Sequence, residues 1–358
     1  MTTYLLAGGG TAGHVNPLLA VADRLRANEP SSTILVLGTA EGLEARLVPA
    51  RGYELLTIPK LPFPRRPGKA LVRFPGALRR TVGRTRSIIH DRRVDVVVGF
   101  GGYASAPAYL AARAEHVPFA VHEANAKPGF ANRLGARFTS FVGVLFPSTR
   151  LRSAEVVGMP LRVEIERLDR AAARTEAQQL FGLDTDKPVL LVTGGSTGAR
   201  SLNRTIAETV PLLLGAGWQV LHIAGERSEI SDPGLAGYVL LKYCDRMELA
   251  IAVADLAVSR AGSATVSEFT AVGVPSIYVP YPVGNGEQRF NAADVVAAGG
   301  GRLVLDADFT PAWVAANLVP LLQDRATVAE MAARAASVGV TDGTDRMVAL
   351  ITRAAAGA

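Results

Sequence analysis

The stretch Tyr4-Leu5-Leu6-Ala7-Gly8-Gly9-Gly10-Thr11-Ala12-Gly13-His14-Val15-Asn16-Pro17 decides how the rest of the chain is read. Its apolar start, without alternation, marks a strand buried on both faces, as in a parallel sheet. The glycines that follow let the backbone come close to a ligand. The helix start beyond them offers unpaired N–H groups and a partial positive charge. Strand, glycine loop and helix together make a phosphate-handling unit. Asn16 reads as an N-cap and Pro17 as the first helical residue, with Leu18, Val21, Ala22 and Leu25 on one face. The helix is therefore expected from Pro17 to about Ala27.

The arrangement recurs. GFGGYASAP (99–107) follows the β-branched run Val94–Val98, GGSTGARSLN (194–203) follows Val189–Thr193, and SRAGSATVSE (259–268) continues from the strand Leu256–Ser259. Two of the four loops lie in each half of the chain. Strands alternating with helices predict an α/β fold of two Rossmann-like, doubly wound parallel-sheet domains with a cleft between them for a nucleotide. Gly158-Met159-Pro160 breaks the chain, so the domains are set at 1–162 and 163–339. A C-terminal helix at about 340–358 is expected to pack back onto the first.

Apolar residues make up 49% of the 358 and charged residues 20%, as expected of a globular protein with a sizeable core. The single cysteine, Cys244, excludes an intrachain disulfide and fits a reducing compartment. MTTYLLAGGG lacks the basic and long apolar regions of a signal peptide, and the charge-free stretch 269–286 is broken by Pro275, Pro280 and Pro282. A cytoplasmic protein, at most peripheral on a membrane, is expected. The net charge of +6 is unevenly spread: residues 60–93 carry eleven Lys and Arg against one acid, Asp91. Phe63, Leu71 and Phe74 lie among them, which points to an anionic surface as partner. Nucleic acid is the weaker reading, because it leaves the glycine loops unexplained.

Gly8–Gly13 satisfies GxGxxG, yet the acid that a dinucleotide ribose needs at the end of the second strand is replaced by Leu37-Gly38-Thr39. Asp184-Thr185-Asp186 and Asp306-Ala307-Asp308 have the spacing that holds a divalent ion on a diphosphate. The first lies at the wrong sheet edge and the second reads as a turn, so no metal or other cofactor is expected. His14 stands at a helix start beside a phosphate loop, where a positive helix end lowers its pKa and suits it to general-base work. His122 reads as a satisfied structural histidine, and Glu123 beside it is the alternative base.

GGGTAGHVNP, GFGGYASAPAYLAA, HEANAKPGFANR, GMPLR, VTGGSTGARSLN, SRAGSATVSE and GNGEQRFNA stand in the order and spacing of the MurG family, and the resemblance spans residues 4 to about 350. It implies the GT-B glycosyltransferase architecture and inverting transfer of N-acetylglucosamine from UDP-N-acetylglucosamine to the muramoyl 4-hydroxyl of lipid I, giving lipid II. It also implies work at the cytoplasmic membrane face, with residues 60–93 as the contact. Carried over by motif, the donor site takes Thr11, Ala12 and Gly13 of the first loop, Asn125 of HEAN, Arg162 of GMPLR and Ser196 of GGSTGA. Ser263, Ala264, Thr265, Val266, Ser267 and Glu268 form the nucleotide loop, with Glu268 on the ribose hydroxyls. Gln288 meets the sugar, and Cys244 lies where the family contacts uracil through backbone. The chain departs from the family pattern at Ala12, Ala124 and Thr197. Backbone amides at 196–199 and 263–265, with Arg162, are expected to hold the leaving diphosphate, and His14 to deprotonate the acceptor.

Overall fold

A computed structural model describes residues 1–62, 68–195, 198–283 and 286–357; of Ala12, Lys69, Ala70 and Leu71 it describes the backbone alone. The chain forms two units, Met1–Arg162 with Thr341–Ala358, and Val163–Val340.

The first unit is built on β1 (Thr3–Ala7), β2 (Thr33–Gly38), β3 (Glu54–Thr57), β4 (Val96–Gly99), β5 (Phe119–Glu123), β6 (Val142–Val144) and β7 (Ala154–Val156), all parallel in the order β3-β2-β1-β4-β5-β6-β7. Leu5 pairs with Leu35 on one side and Val97 on the other. Alternation of side chains across the sheet divides β1 between two cores. Tyr4 and Leu6 pack with Leu18, Ala22, Val36 and Val98, whereas Leu5 and Ala7 pack with Leu35, Val97, Ala108 and Tyr109. The C-terminal helix Gly343–Ala356 completes the first core with Met347, Val348, Leu350, Ile351 and Ala354. Where it joins the unit, Gly343 lies against the Met159 carbonyl, which leaves no room for a Cβ.

One boundary differs from expectation. The first helix runs from Ala12 to Asn28, with Thr11 in the extended N-cap position and Pro17 inside. Val15 is fully buried and shares a face with Leu18, Leu19 and Ala22, so the apolar stripe begins a turn earlier than Leu18. The Thr11 carbonyl accepts from the His14 and Val15 N–H groups at 3.1 Å, closing the first turn. Pro17 costs the helix one bond, to the Gly13 carbonyl.

The second unit holds β8 (Val189–Thr193), β9 (Gln219–Ile223), β10 (Tyr238–Leu241), β11 (Leu256–Ser259), β12 (Ser276–Tyr278) and β13 (Gly301–Leu303), again parallel, in the order β10-β9-β8-β11-β12-β13. One of its cores joins Leu190, Val192 and Val258 to Leu202, Ile206 and Val210 of the helix Arg200–Gly215.

Candidate functional site

In an open parallel sheet a ligand crevice opens outside the carboxyl ends of the strands, where the strand order reverses. In the first unit the reversal lies between β1 and β4, and the loops after these strands are 8–11 and 100–104. In the second it lies between β8 and β11, whose following loops are 194–199 and 260–262. All four glycine-containing loops singled out in the sequence therefore stand at a reversal point.

In the first unit the two loops are locked together. Ser105 Oγ lies 2.9 Å from the Gly101 amide, 2.8 Å from the Gly101 carbonyl and 3.0 Å from the Ala7 carbonyl. Gly102, at φ +79°, packs against the Gly9 carbonyl so closely that a Cβ has no place there. His14 enters this junction from the first helical turn. Its Nδ1 lies 3.2 Å from the Gly9 carbonyl and 3.2 Å from Thr11 Oγ1. A carbonyl only accepts, so Nδ1 carries the proton and Nε2 is left with a free lone pair. Gly101, at φ +93°, makes room for that edge: a Cβ there meets Cδ2 and Nε2 at 3.0 Å. Burial pushes the His14 pKa below the ordinary imidazole value; the Gly9 carbonyl and the Glu44 carboxylate oppose it. Burial thus drives the shift that the sequence reading had assigned to the helix end.

His122 and Glu123 end β5. His122 is completely buried, tilted on Phe100 at 5.4 Å, and its pKa is pushed down to about 4 by burial, with His14 adding a smaller push. Its ring nitrogens make no hydrogen bond among the described residues; the Gly158 backbone approaches without reaching that geometry. The satisfied histidine expected here is therefore not found: the ring is buried and lacks a hydrogen-bond partner among the described residues. Glu123 is buried under four donors: the Asn125 N–H (2.8 Å) and Nδ2 (3.4 Å) on one oxygen, the Gly129 N–H (2.8 Å) and Asn132 Nδ2 (3.1 Å) on the other. Burial raises its pKa and these donors oppose the rise. A carboxylate so engaged braces the 124–129 loop and is badly placed to take a proton from a substrate.

Of the residues carried over by motif, Thr11 is the exposed N-cap, Ala12 and Gly13 lie in the first turn, and Asn125 is half-buried and tied to Glu123. Arg162 ends the first unit. Ser263 starts the helix Ser263–Ala271 after the N-cap Gly262. No side chain caps that helix and its first turn holds no acid, so the amides of Ser263, Ala264 and Thr265 have no intrahelical acceptor. Ser263 and Val266 are buried; Val266 can offer a ligand only its backbone. Ala264 and Thr265 in the first turn, and Ser267 and Glu268 beyond it, are half-buried. Gln288 lies in the short helix Glu287–Asn291 and its Oε1 accepts from the Tyr281 N–H at 2.9 Å. Cys244 is half-buried in the loop after β10. Ser196 and Thr197 lie outside the described residues, as do Phe63, Arg65 and Arg66 of the basic segment.

Three features escaped the sequence reading. Arg260, buried at the end of β11, donates to Asp306 at 2.5 Å, to Ser201 Oγ at 3.0 Å and to the Val279 carbonyl at 3.0 Å. Asp306 lies in the turn 306–308 expected of it, and it is also the acidic anchor of this cluster, 46 positions away. Glu44, from the helix Glu44–Ala50, reaches into the first loop. Asn132, bonded to Tyr109, holds the HEAN loop from below. No local pattern announces any of these long-range partners.

The glycosyltransferase family 28 N-terminal domain matches residues 4–144 and the family's C-terminal domain matches 189–347. A UDP-N-acetylglucosamine–N-acetylmuramyl-(pentapeptide) pyrophosphoryl-undecaprenol N-acetylglucosamine transferase of Leifsonia xyli is 69% identical over 351 residues, 98% of either chain. The protein of that name from Streptomyces coelicolor is 51% identical over 98% of each. The crystal structure of Acinetobacter baumannii MurG superposes with a TM-score of 0.80 at 28% identity, covering 99% of this chain and all of that one. A Listeria monocytogenes protein described as a UDP-N-acetylglucosamine 2-epimerase shares the fold at a TM-score of 0.67, with 12% identity over 99% of this chain and 96% of its own.

Proposed function

This chain belongs to glycosyltransferase family 28, and from that premise we infer that it transfers N-acetylglucosamine from UDP-N-acetylglucosamine to the N-acetylmuramyl-pentapeptide of pyrophosphoryl-undecaprenol, lipid I. The product is lipid II of peptidoglycan synthesis; transfer goes to the muramoyl 4-hydroxyl, with inversion at the anomeric carbon. The observation that carries this is 69% identity along 98% of the chain. The fold does not, since a protein described as a UDP-N-acetylglucosamine 2-epimerase shares it.

The reaction transfers one proton and exchanges one bond at the sugar C1 for another. The acceptor 4-hydroxyl loses its proton as its oxygen attacks the sugar C1. The bond from C1 to the β-phosphate oxygen breaks, and its electrons leave on UDP. His14 Nε2, free because Nδ1 is committed to Gly9, takes the proton. The uncapped amides of Ser263, Ala264 and Thr265 receive the diphosphate charge, together with Arg162 and the loop holding Ser196. Glu268 binds the ribose diol, Gln288 and Asn125 the sugar, and the backbone at Cys244 the uracil, while Thr11, Ala12 and Gly13 line the reacting end. No metal is assigned a role.

A lipid acceptor supports the reading that the enzyme works peripherally, on the cytoplasmic face of the membrane. No helix among the described residues is long and apolar enough to cross a membrane. The contact proposed is the basic segment 60–93. Its helix Lys69–Asp91 packs through Thr81, Thr85 and Ile89 and exposes Val72, Arg73, Arg79, Arg80 and Arg84. Those four arginines make no ion pair among the described residues, whereas Arg86 and Arg92 are paired with Glu115 and Glu54.

The test is radiolabelled UDP-N-acetylglucosamine incubated with and without a short-chain lipid I analogue. The account expects a disaccharide lipid and UDP with the acceptor, and unchanged donor without it. Donor consumed in the absence of acceptor would make the protein an epimerase or hydrolase.

A further inference from the structure

Glu44 is a buried carboxylate with no role in the scheme above. It lies at the start of a short helix, 1% exposed, and holds three donors from two different loops. Oε2 accepts from the Gly10 amide at 2.8 Å; Oε1 accepts from the Thr39 amide at 3.0 Å and the Thr39 hydroxyl at 2.8 Å. Burial alone raises a carboxyl pKa, but these donors outweigh it and keep the group ionised. Three glycines surround it. A Cβ at Gly9 or Gly42 falls on the carboxylate itself, and one at Gly38 lies 2.6 Å from its Cγ. None of the three has a positive φ. They are therefore glycines because Glu44 occupies the space a side chain needs.

The chain of contacts continues to the reaction. Glu44 grips Gly10, the neighbouring Gly9 presents the carbonyl that accepts from His14 Nδ1, and Nε2 is thereby aimed away from the loop. We propose that Glu44 is a positioning residue for catalysis: its carboxylate fixes the first glycine loop and, through the Gly9 carbonyl, the tautomer and orientation of His14. This deepens the reading of His14 as the base and rests on it. The carboxylate also acts on His14 through space. Of the titratable groups facing the imidazole, Glu44 favours the imidazolium, and His122 on β5 is held neutral by burial, with its pKa at about 4.

The test combines Glu44→Gln and Gly42→Ala in the full chain. Glutamine keeps the volume but loses the charge, and its NH2 end no longer accepts a loop amide. Gly42→Ala keeps the charge and displaces it. Three quantities are read: the His14 imidazole titration by NMR, kcat with a lipid I analogue, and the heat of UDP-N-acetylglucosamine binding. Glu44→Gln is expected to titrate His14 at lower pH than the parent and to lose roughly ten- to hundredfold in kcat, with donor binding intact. Gly42→Ala is expected to perturb the His14 resonances and lower kcat in the same direction, which keeps the proposal testable if the glutamine variant does not fold. An unmoved His14 signal in both variants overturns the proposal. A moved signal with turnover intact upholds the coupling and overturns instead the assignment of His14 as base.

Discussion

Replacing Gly101 with alanine tests the geometry around His14 most finely. Two costs add. The residue sits at φ +93°, a conformation in which a Cβ costs roughly 1–2 kcal/mol. The new methyl also stands 3.0 Å from His14 Cδ2 and Nε2, inside ordinary van der Waals contact, so the imidazole must give by a few tenths of an ångström. That shift acts on the edge assigned to the acceptor hydroxyl; a misplacement of about 1 Å can cost about a hundredfold in rate, so a few tenths of an ångström is expected to cost up to roughly tenfold. The matched control is Gly52→Ala. Gly52 is at φ +73° with no atom within 4 Å of its Cβ position, so it carries the backbone penalty alone. Both variants are expected to melt a few degrees below the parent, by about 2–4 °C per kcal/mol for a chain segment of this size. Only Gly101→Ala is expected to lose kcat, measured with radiolabelled donor and a lipid I analogue. If the two variants keep the same kcat, His14 Nε2 is not the edge that meets the acceptor.

Other perturbations separate the remaining parts of the account. The depressed pKa of His14 keeps it neutral further into acid, so the acidic limb of kcat/KM is expected below the ordinary imidazole value of about 6.5; a limb at or above that value argues for another base. His122 and His222 are both pushed down to about 4 by burial, so the unfolded chain binds protons that the folded chain refuses. Stability is then complete above about pH 6.5 and is lost toward pH 4, by on the order of 3 kcal/mol for each histidine; a thermal midpoint flat across that window contradicts it. Asp306→Ala strips a buried guanidinium of its partner and is expected to cost about 3–5 kcal/mol, read by urea unfolding of the full chain. Binding to anionic liposomes is expected to weaken with salt, and to fall by roughly 1 kcal/mol for each of Arg79 and Arg80 neutralised to Gln; salt-independent sedimentation excludes the basic segment as the contact.

The parts legible in the sequence were those written locally. Unbroken apolar runs such as Val189–Thr193 gave strands at their observed bounds, and the glycine loops marked where strands end; that these ends lie at the reversal points follows only from the strand order. Short strands were missed where pattern is thin: Glu54–Thr57 at the sheet edge is only half-buried, and Val142–Val144 has three residues. Pro17 misled because proline usually opens a helix, whereas here the burial of Val15 extends the helix upstream. The site was legible as motifs but not as contacts. His14 could be singled out, yet its tautomer depends on the Gly9 carbonyl and its freedom on the missing Cβ of Gly101, 87 residues on. Glu44, Asn132 and Asp306 act across the fold, and one sequence carries no local mark of such pairing.

The most direct test compares donor binding and turnover in one variant, His14→Ala. UDP-N-acetylglucosamine binding by calorimetry is expected to match the parent, because the donor amides and Glu268 are untouched. Disaccharide-lipid formation is expected to fall at least about 100-fold, the usual worth of a general base. Turnover near the parent's, with the fold intact, contradicts the account.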